Sequence, residues 1–356
     1  MTPLRTALIG AGAIGAVHAQ RIRASRDAEL VGVADPSPAS RALADDAGCA
    51  WSPDYVELLE SHRPEAAIIA VPNALHEDVA RECIGRGIPV LLEKPIADSI
   101  EAAARIAEAS EATGVPVLVG HHRRHSPDML TARRVVAEGE LGRPVTANGM
   151  WMAKKPDDYF EAAWRREPGG GLFLINLIHE IDCLRYVFGN VATVQAMASN
   201  SVRGFDVEDT LALVLSFENG ALATLVMTDS TPASWFWDVA SGQGMAFPYE
   251  AGNSFWFGGT KASLAVPSME LRWHGPGEDW RDPVLRKTVP IERSDCYANQ
   301  LRQFIAVARD GAEPLCTARE GLLTLATTIA AREAAETGAG VDVRQLLATV
   351  PGKPAV

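Results

Sequence analysis

Residues 4–15 read LRTALIGAGAIG, a short apolar run followed by glycines at positions 10, 12 and 15. The run predicts a buried strand, and the spacing of apolar residues in 13–26 predicts that a helix follows at once. In such a turn Gly10 allows the tight bend, Gly12 lets the backbone approach a pyrophosphate, and Gly15 lets helix and strand pack closely. The start of the helix offers N–H groups to phosphates. The stretch therefore predicts a dinucleotide-binding turn, with a ligand-free strand–helix turn as the alternative.

Predicted strands and helices alternate over the first 120 residues. The alternation indicates βαβ units and a parallel, doubly wound sheet, which favours the ligand-binding interpretation of the glycine turn. Ligands of such sheets bind beyond the carboxyl ends of the strands, so residues that directly follow a strand are the first candidates for a site. The predicted strands are Leu4–Ile9, Leu30–Ala34, Ala66–Val71, Val90–Leu92 and Val115–Val119. The predicted helices are Ala13–Arg26, Pro38–Ala47, Asp54–Ser61, Ala74–Arg86 and Ser99–Thr113.

The pattern changes after Pro127, where alternating apolar and polar residues predict a largely antiparallel sheet with one solvated face. A chain of 356 residues exceeds what one core usually serves, so we expect two domains, residues 1–124 and 125–350. We expect a long loop over residues 241–259 and a frayed tail after Pro351. The predicted strands here are Val145–Met152, Ala192–Ala198, Thr210–Phe217, Leu222–Thr228 and Ser263–Val266. The predicted helices are Asp128–Glu138, Phe173–Phe188, Asn299–Arg309 and Arg319–Glu336.

The overall composition excludes several classes of protein. The net charge is −12 and Lys and Arg form no run, whereas nucleic acids and anionic membranes require clustered positive charge. The five cysteines are scattered and no CxxC pair occurs, so neither a disulfide framework nor a thiolate metal site is indicated. No apolar stretch approaches the length that spans a bilayer, and the first residues lack the features of a signal peptide. We therefore expect a cytoplasmic protein with a small-molecule substrate.

An acidic residue ends the second predicted strand. Asp35 lies 20 residues beyond Gly15. A carboxylate at this place accepts hydrogen bonds from the adenosine ribose hydroxyls and repels a 2′-phosphate. Ser40 and Arg41 lie nearby in the sequence and would serve a phosphate if their loop turned inward. The carboxylate favours NAD as the cofactor over NADP.

Glu93, Lys94 and Pro95 directly follow the predicted strand Val90–Leu92, at the edge where ligands bind. A lysine beside a cationic nicotinamide loses its proton more readily, because a nearby like charge disfavours the ammonium form. Lys94 would then hydrogen-bond to the reacting hydroxyl. Pro95 redirects the chain, and the bond before it is a candidate for the cis form. Taken alone, the tripeptide is equally compatible with a surface lysine at a turn.

Residues 120–125 read GHHRRH and follow the predicted strand Val115–Val119. Three histidines in five residues suggest a metal, but the carboxylate or thiolate companions of a metal site are absent from the run, so we predict none. We expect His122 to face the nicotinamide or the substrate. We expect Arg124 to bind a carboxylate or to lie at the domain junction.

Large aromatic residues and two lysines in the second half leave two interpretations open. In the first, the aromatic residues and the lysines together line a substrate pocket. In the second, the aromatic residues belong to the core or to an interface, which is the commoner role of such residues in a sheet domain. The residues concerned are Lys154, Lys155, Trp235, Trp237, Phe255 and Trp256.

Several motifs follow one another in a distinctive order. In this order and spacing, the chain resembles the Gfo/Idh/MocA family, that of glucose–fructose oxidoreductase and inositol dehydrogenase, over nearly its full length. The resemblance implies a Rossmann domain followed by an α/β domain with an open-faced, mostly antiparallel mixed sheet. Such a sheet commonly mediates oligomerisation, so a homodimer or homotetramer is implied. The matching pieces are Gly10–Gly15, Val71-Pro72-Asn73 with His76, Glu93-Lys94-Pro95, Trp164-Arg165, Gly169-Gly170-Gly171, His179 with Asp182, and Tyr297 before Gln300–Phe304.

The resemblance also implies roles for individual residues. A lysine of the EKP motif and a histidine of the second domain are expected to meet at the nicotinamide, which makes Lys94 and His179 the catalytic pair. Substrate contacts are expected from the same two residues together with His122 and Asn176. With the glycine turn and the acidic residue after the second strand included, the expected cofactor contacts are Gly10, Gly12, Ala13, Ile14, Gly15, Asp35, Val71, Pro72, Asn73, His76, Glu93, Lys94, His122, Trp164, Arg165 and Tyr297.

His179 also makes chemical sense by itself. It lies on a predicted helix after a triple glycine, with Asn176 about one turn before it and Asp182 almost one turn after it. An imidazole is suited to take the alcohol proton while hydride leaves the carbon. The alternative is a core histidine hydrogen-bonded to Asp182. The family often reads GGGxLxDxGxH, but here Ile175 stands at the carboxylate position, so we expect Lys94 to carry more of the proton transfer.

These residues predict an oxidoreductase that transfers hydride between NAD(H) and a secondary alcohol or ketone of a sugar, inositol or related cyclic polyol. One alternative is an NAD-dependent glycosidase that oxidises its substrate transiently and eliminates a leaving group. Another is a catalytically silent NAD-binding regulator. Retention of both Lys94 and His179 argues against the regulator, which would need neither.

Overall fold

The computed structural model describes residues 2–244 and 247–349, and these fall into two compact units. The first unit holds the described residues up to His125 together with Asp295–Leu325. The second holds Ser126–Ser294 together with Ala326–Thr349. The tail after Pro351, which we expected to fray, lies outside the described residues.

One segment departs from the predicted division at residue 125. Asp295–Leu325 was assigned to the second domain from its position in the sequence, yet it groups with the first unit. The reason is tertiary: its helix Cys296–Asp310 packs on the first helix of the glycine turn and on residues 122–125. No pattern within the segment itself shows these contacts.

A six-stranded parallel sheet forms the centre of the first unit, in the order β3-β2-β1-β4-β5-β6. The order reverses direction between β1 and β4, which is where nucleotides bind in such sheets. The predicted doubly wound parallel sheet is confirmed. Strands β1–β6 are Leu4–Ile9, Ala28–Ala34, Ala50–Ser52, Ala66–Ile69, Val90–Leu92 and Val117–Val119. Helices α1–α5 are Ala13–Ala24, Arg41–Ala47, Tyr55–His62, His76–Gly85 and Ile100–Thr113.

The strands of this sheet are apolar runs because helices cover both faces. Ala7, Leu8 and Ile9 of β1 are all buried. Two of the helices begin at side-chain caps that the sequence places there: Asp54 accepts hydrogen bonds from two N–H groups of α3, and Ser99 accepts one from α5. The sequence missed only the short edge strand β3, since three residues show no period.

A ten-stranded mixed sheet forms the second unit. Its order is β15-β14-β13-β12-β7-β10-β9-β8-β16, and β11 pairs with β7 beside this path. Strands β10 and β7 run parallel and the other pairs run antiparallel, which confirms the expected mostly antiparallel mixed sheet. Strands β7–β16 are Pro144–Lys154, Val191–Ser199, Thr210–Phe217, Leu222–Thr228, Ser230–Trp235, Phe255–Gly259, Ala262–Val266, Glu270–Trp273, Leu285–Thr288 and Val341–Asp342.

Helices cover one face of this sheet. Helices α6 and α7 pack on each other and against β13 and β7, while side chains such as Val214 and Met197 are exposed on the opposite face. The sheet is therefore open-faced. Among the described helices, none combines the length and the apolar character that crossing a membrane requires. Helices α6–α11 are Pro127–Ala137, Ile178–Phe188, Trp237–Ser241, Cys296–Asp310, Ala318–Thr337 and Val343–Ala348.

The long loop predicted over residues 241–259 is wrong in its last part. Strand β12 lies between β7 and β13, and its Phe255 and Phe257 are fully buried. A Cβ on Gly259, at its end, would lie 2.1 Å from the Leu141 carbonyl oxygen. Gly259 is thus required by the close approach of the backbone that precedes β7.

Candidate functional site

The glycine turn joins β1 to α1 in the first unit. Gly10 has a φ of +94°, and a Cβ there would lie 2.4 Å from the Ala70 carbonyl oxygen. A Cβ on Gly15 would lie 2.2 Å from the Gly10 carbonyl oxygen. By contrast, a Cβ on Gly12 would meet nothing within 4 Å, and among the described residues no side chain caps the helix that starts there. The N–H groups at Ala13 and the following residue are thus presented as in a phosphate-binding turn.

Asp35 lies beside this turn. Its Oδ2 accepts a hydrogen bond from the Ala11 N–H at 2.8 Å, and its Oδ1 accepts one from the Ser37 N–H at 2.8 Å. The carboxylate therefore holds the glycine turn against the loop after β2. This is the position from which a carboxylate binds ribose hydroxyls in dinucleotide sites.

The two residues considered as ligands of a 2′-phosphate have other partners. The Ser40 Oγ donates to the Ser37 carbonyl oxygen at 2.6 Å and accepts from the Trp51 Nε1–H at 2.9 Å. The Arg41 guanidinium lies over the Trp51 ring, 5.7 Å from its centroid. These contacts hold Ser40 and Arg41 at Ser37 and Trp51 and do not direct them towards Asp35. The arrangement therefore favours NAD over NADP.

The loop after β4 exposes Pro72 and Asn73 at the carboxyl edge of the sheet and is held from behind by His76. His76 is fully buried, with Nε2 2.9 Å from the Val71 carbonyl oxygen and Nδ1 2.9 Å from the Pro95 carbonyl oxygen. Burial lowers the pKa of His76, although both carbonyl contacts oppose this. The imidazole thus lies between the loop after β4 and the loop after β5, with one ring nitrogen at a carbonyl oxygen of each loop. His76 can act on a cofactor only through these loops.

Glu93 is a buried anion that fixes the backbone of Lys94. Its Oε1 lies 2.7 Å from the His18 Nε2, and its Oε2 accepts the Lys94 N–H at 3.1 Å. Burial raises the pKa of Glu93, but the His18 hydrogen bond and the positive charges of His18 and Lys94 outweigh burial and hold that pKa below its ordinary value. The peptide between Lys94 and Pro95 is cis. Lys94 thus starts a loop of defined shape directly after β5.

Tyr297 joins the residues after β6 to the same cluster. Its ring stacks on His122, with centroids 4.6 Å apart and planes 13° apart, and meets His18 edge-on at 5.9 Å. Burial and then the charges of Arg123 and Lys94 hold the pKa of His122 well below its ordinary value. His122 is therefore a neutral ring beside Tyr297. The first unit thus brings together residues for which a cofactor contact was expected. They are Glu93, Lys94, His122 and Tyr297.

Arg124 is almost completely buried in the first unit. Its Nη2 donates to the Glu320 Oε2 at 3.0 Å and its Nη1 donates to the Leu315 carbonyl oxygen at 2.8 Å. It therefore binds a carboxylate of this chain, which was one of the two roles expected for it. This contact fastens the start of α10 to the residues after β6.

The helix that carries His179 begins in the second unit at the triple glycine. Residues Phe173–Leu177 form a π-helix that continues directly into α7, and π-turns inside helices are frequent at functional sites. The Glu208 Oε1 accepts the Phe173 N–H at 2.7 Å. A Cβ on Gly171 would lie 2.5 Å from this carboxylate oxygen. Gly171 therefore leaves the space that the Glu208 carboxylate occupies where it binds the start of the helix.

His179 is the second residue of α7 and is half-buried. Ile175 and Asn176 lie in the π-turn just before it. The Asn176 Oδ1 accepts a hydrogen bond from the Lys155 Nζ at 2.9 Å. Asn176, for which a substrate contact was expected, thus holds a lysine one turn before His179.

Trp164 and Arg165, both expected to contact the cofactor, lie in a short turn of the second unit. The Arg165 guanidinium lies 3.9 Å from the centroid of the Tyr159 ring, and its Nη1 donates to the Tyr159 carbonyl oxygen at 2.6 Å. The indole of Trp164 is 54% exposed, so it is accessible to a ligand. A Cβ on Gly170 would lie 2.0 Å from the Trp164 carbonyl oxygen, which explains the second glycine of the motif.

The aromatic residues that the sequence grouped together divide between core and surface. Trp237 and Phe255 are fully buried, whereas Trp235 and Trp256 are exposed. Trp256 belongs to the open face of the sheet, opposite Asn148 of β7. A common pocket wall made by all of them is therefore excluded.

Sequence reasoning missed two residues that shape these sites. His18 carries a signal that could have been used, because it lies three residues after Gly15, on the second turn of the helix that opens at the glycine turn and one turn from that glycine. Glu208 carries no such signal, since it lies 35 residues from the Phe173 N–H that it binds.

Comparisons with known proteins agree with this geometry. Residues 4–121 match the model of an oxidoreductase family with an NAD-binding Rossmann fold, and residues 129–265 match the GFO/IDH/MocA C-terminal domain. Inositol 2-dehydrogenase of Rhizobium meliloti is 26% identical over 342 residues, which cover 92% of this chain and 96% of that protein.

Two solved structures have the same fold. A myo-inositol dehydrogenase from Corynebacterium glutamicum is 26% identical, with a TM-score of 0.73 over 99% of this chain and 100% of that one. An oxidoreductase from Agrobacterium radiobacter, solved with NAD+, L-tartaric acid and magnesium, is 19% identical, with a TM-score of 0.81 over 97% of this chain and 100% of that one. The two family models together cover most of the chain. This chain therefore belongs to the Gfo/Idh/MocA family of NAD-binding oxidoreductases.

Proposed function

We propose that the protein oxidises a secondary alcohol of a sugar, an inositol or a related cyclic polyol, and reduces the corresponding ketone in reverse. The observation that carries the proposal is the arrangement after β5, where the buried Glu93 anion fixes the backbone of Lys94 beside His122 and Tyr297. The relatives named inositol dehydrogenase support the substrate class.

In this proposal NAD, when bound, accepts hydride from the carbinol carbon. The hydroxyl proton leaves at the same time, and Lys94 and His179 are the groups that take it. Glu93 fixes the backbone of Lys94 through the Lys94 N–H. In the proposal the uncharged amine of Lys94 is the form that accepts the proton of the substrate hydroxyl. Neutral His122 can donate a hydrogen bond or accept one without adding charge next to a cationic nicotinamide.

A substrate screen tests the proposal. Inositols, aldoses, anhydrosugars and cyclic diols are incubated with the protein and NAD while nicotinamide absorbance is followed. We expect reduction of NAD with at least one of these polyols. Cleavage of a glycoside without net NADH would instead identify the transient-oxidation glycosidase, and NADH binding without turnover of any compound would contradict the proposed enzyme.

The wild-type protein should bind NADH at least ~10-fold more tightly than NADPH, because Asp35 would face the 2′-phosphate. The double variant Asp35→Ser with Ser37→Arg should remove most of this difference, since it deletes the carboxylate and adds a cation to the same loop. Fluorescence titration with both reduced cofactors measures the two dissociation constants without a substrate. Asp45→Ser, an exposed aspartate on α2, is the control that should leave the ratio unchanged. Tighter binding of NADPH by the wild type would refute the assignment.

The proposed enzyme is a homo-oligomer that covers the open face of its sheet. Leu222 and Val226 lie on one face of β10 with Thr224 between them, and Thr224 pairs with Val214 of β9. Leu222, Val226 and Val214 therefore lie on the same face of the sheet, and all three are exposed. Met197 on β8 extends the same apolar surface. A contiguous apolar face of this kind indicates a protein interface, and symmetric association of two copies is its commonest form.

Light scattering should therefore give a dimer or tetramer at micromolar concentration. Val214→Glu combined with Val226→Glu should lower the mass towards that of one chain, because it would bury two unpaired charges in the interface. Leu285→Glu, an exposed position on the edge strand β15, should not change the mass. A wild-type monomer would remove the proposal.

The proposal places the enzyme in the cytoplasm. Its five cysteines, all within the described residues, form no disulfide with one another, and four of them are buried thiols. Such a set is typical of proteins kept in a reducing compartment.

A further inference from the structure

We propose that Lys155 binds a carboxylate of the substrate, so that the preferred substrate is a polyol acid such as an aldonate or a uronate. The inference rests on the proposed function, because it takes the bound molecule to be the substrate of the proposed oxidoreductase. It narrows the class of substrate from polyols to polyol acids. It depends on contacts that lie entirely within the second unit.

The Lys155 ammonium is held in one place. Its Nζ donates to the Asn176 Oδ1 at 2.9 Å, and it lies 4.9 Å from the centroid of the Tyr159 ring and 5.6 Å from that of Trp151. The side chain is only 12% exposed. Its backbone is fixed as well, since the Lys155 N–H donates to the Asp229 carbonyl oxygen at 2.9 Å. A cation this constrained is preorganised for a ligand, because little side-chain entropy remains to be lost.

The carboxylate nearest to Lys155 is shared between two cations and lies closer to Arg203 than to Lys155. Asp229 Oδ1 accepts from the Arg203 Nε at 2.8 Å and from the Ser230 hydroxyl at 3.1 Å. The Lys155 Nζ lies 3.5 Å from the other oxygen, Oδ2, beyond the roughly 2.7–2.9 Å of a charge-assisted hydrogen bond. The closest polar contact of the ammonium is thus a neutral amide.

Other acidic groups nearby are also engaged. Asp209 Oδ2 accepts the N–H groups of Val202 and Arg203, each at 2.9 Å, and Glu208 accepts the N–H of Phe173. Burial lowers the pKa of Lys155, and the charge of Asp229 and the hydrogen bond to it only partly offset this. An incoming carboxylate would add a short ionic hydrogen bond to the long ion pair that this ammonium makes with Asp229.

Two further features point to an anion rather than to a neutral hydroxyl. The Arg165 guanidinium lies on the same Tyr159 ring as Lys155, so two cations share one aromatic side chain. Within the described residues the buried Nε of Arg165 has no hydrogen-bond partner. The positive charge is located next to the π-turn that leads to His179, because Asn176 belongs to that turn.

Ile175 fits the same picture. A carboxylate at this position, adjacent in sequence to Asn176, would compete with a substrate carboxylate for the ammonium and would repel it. An apolar side chain leaves the charge of Lys155 to the ligand.

Matched pairs of compounds test the inference by calorimetry on the NADH-loaded protein. Each pair differs only in a carboxylate replacing a CH2OH group: D-glucuronate with D-glucose, D-galacturonate with D-galactose, and D-gluconate with D-glucitol. We expect at least one acid to bind about 10- to 100-fold more tightly than its neutral partner, which is the range for a hydrogen bond to a charged group. Lys155→Met should remove that preference and leave the neutral compounds within about twofold. Lys155→Arg should retain part of it.

Lys261→Met, an exposed lysine between β12 and β13, is the matched control and should keep the preference. The inference is overturned if acid and neutral partner bind equally in all three pairs, or if no acid binds. It is also overturned if the preference for the acid survives Lys155→Met. An equal loss for acids and neutral compounds in both Lys155 variants would assign a structural role to the lysine and overturn it too. Turnover of the same compounds with NAD is measured separately. Lys155-dependent binding without any NAD reduction would contradict the proposed function while leaving the carboxylate site in place.

Discussion

Replacing Lys94 by alanine should lower turnover by at least ~100-fold, the range for losing a general acid–base group, with NADH affinity changed by no more than about twofold. The reason lies in how Lys94 is held. Glu93 binds the backbone N–H of Lys94, a contact that the alanine variant keeps. The expected loss of turnover is therefore assigned to the amine of the side chain.

Single-turnover and steady-state rates on the substrate found in the screen measure this effect. A small primary amine added to Lys94→Ala should restore part of the rate, whereas a loop that had merely changed shape would not respond to it. Lys261→Ala is the matched control, because this lysine is exposed and lies in the second sheet. Near-normal turnover of Lys94→Ala would show that the proposed proton transfer is wrong.

The first unit could be predicted well because its signals are local. The glycine turn, the apolar strands and the capped helices each lie within a few residues of sequence, and each strand follows a helix at short range. In the second unit strands β9 and β10 were predicted with their observed bounds, since apolar and polar residues alternate along both. Strand β12 was missed because its two glycines are typical of a loop, although Gly259 is required by the close approach of the Leu141 backbone.

For the candidate sites, the sequence could predict which residues belong to them but not the contacts between those residues. The motifs indicated Glu93, Lys94, His122 and Tyr297, but the ring stack of Tyr297 on His122 depends on a helix that returns to the first unit after 170 residues of other structure. The same limit applies to Lys155 and Asn176. Each was noted separately, and their hydrogen bond follows from the end of β7 meeting the π-turn, which neither segment encodes alone.

The π-turn before α7 also explains why Ile175 can replace a carboxylate without loss of the helix. The N-terminus of this segment is bound by Glu208 from a distant loop, and Asn176 is tied to Lys155. Position 175 is therefore not needed to hold the segment that presents His179.

Replacing His179 by alanine should slow turnover by about 10- to 100-fold and flatten the acidic limb of the pH–rate profile. The helix should persist, because alanine is the best helix former and neither the Glu208–Phe173 nor the Asn176–Lys155 hydrogen bond involves the imidazole. The expected loss is smaller than for Lys94, since Lys94 remains to take the hydroxyl proton. Rates measured across the pH range with NAD saturating give the profile for both proteins.

Added imidazole should restore part of the His179→Ala rate, and the restored rate should increase as the added imidazole becomes deprotonated, because only the neutral base can accept the proton. His62→Ala, a histidine at the end of α3, should leave rate and profile unchanged. A His179→Ala protein that is slower but keeps the wild-type acidic limb and ignores imidazole would assign the titration to another group. In that case Lys94 would act alone, and His179 would serve only to place the substrate.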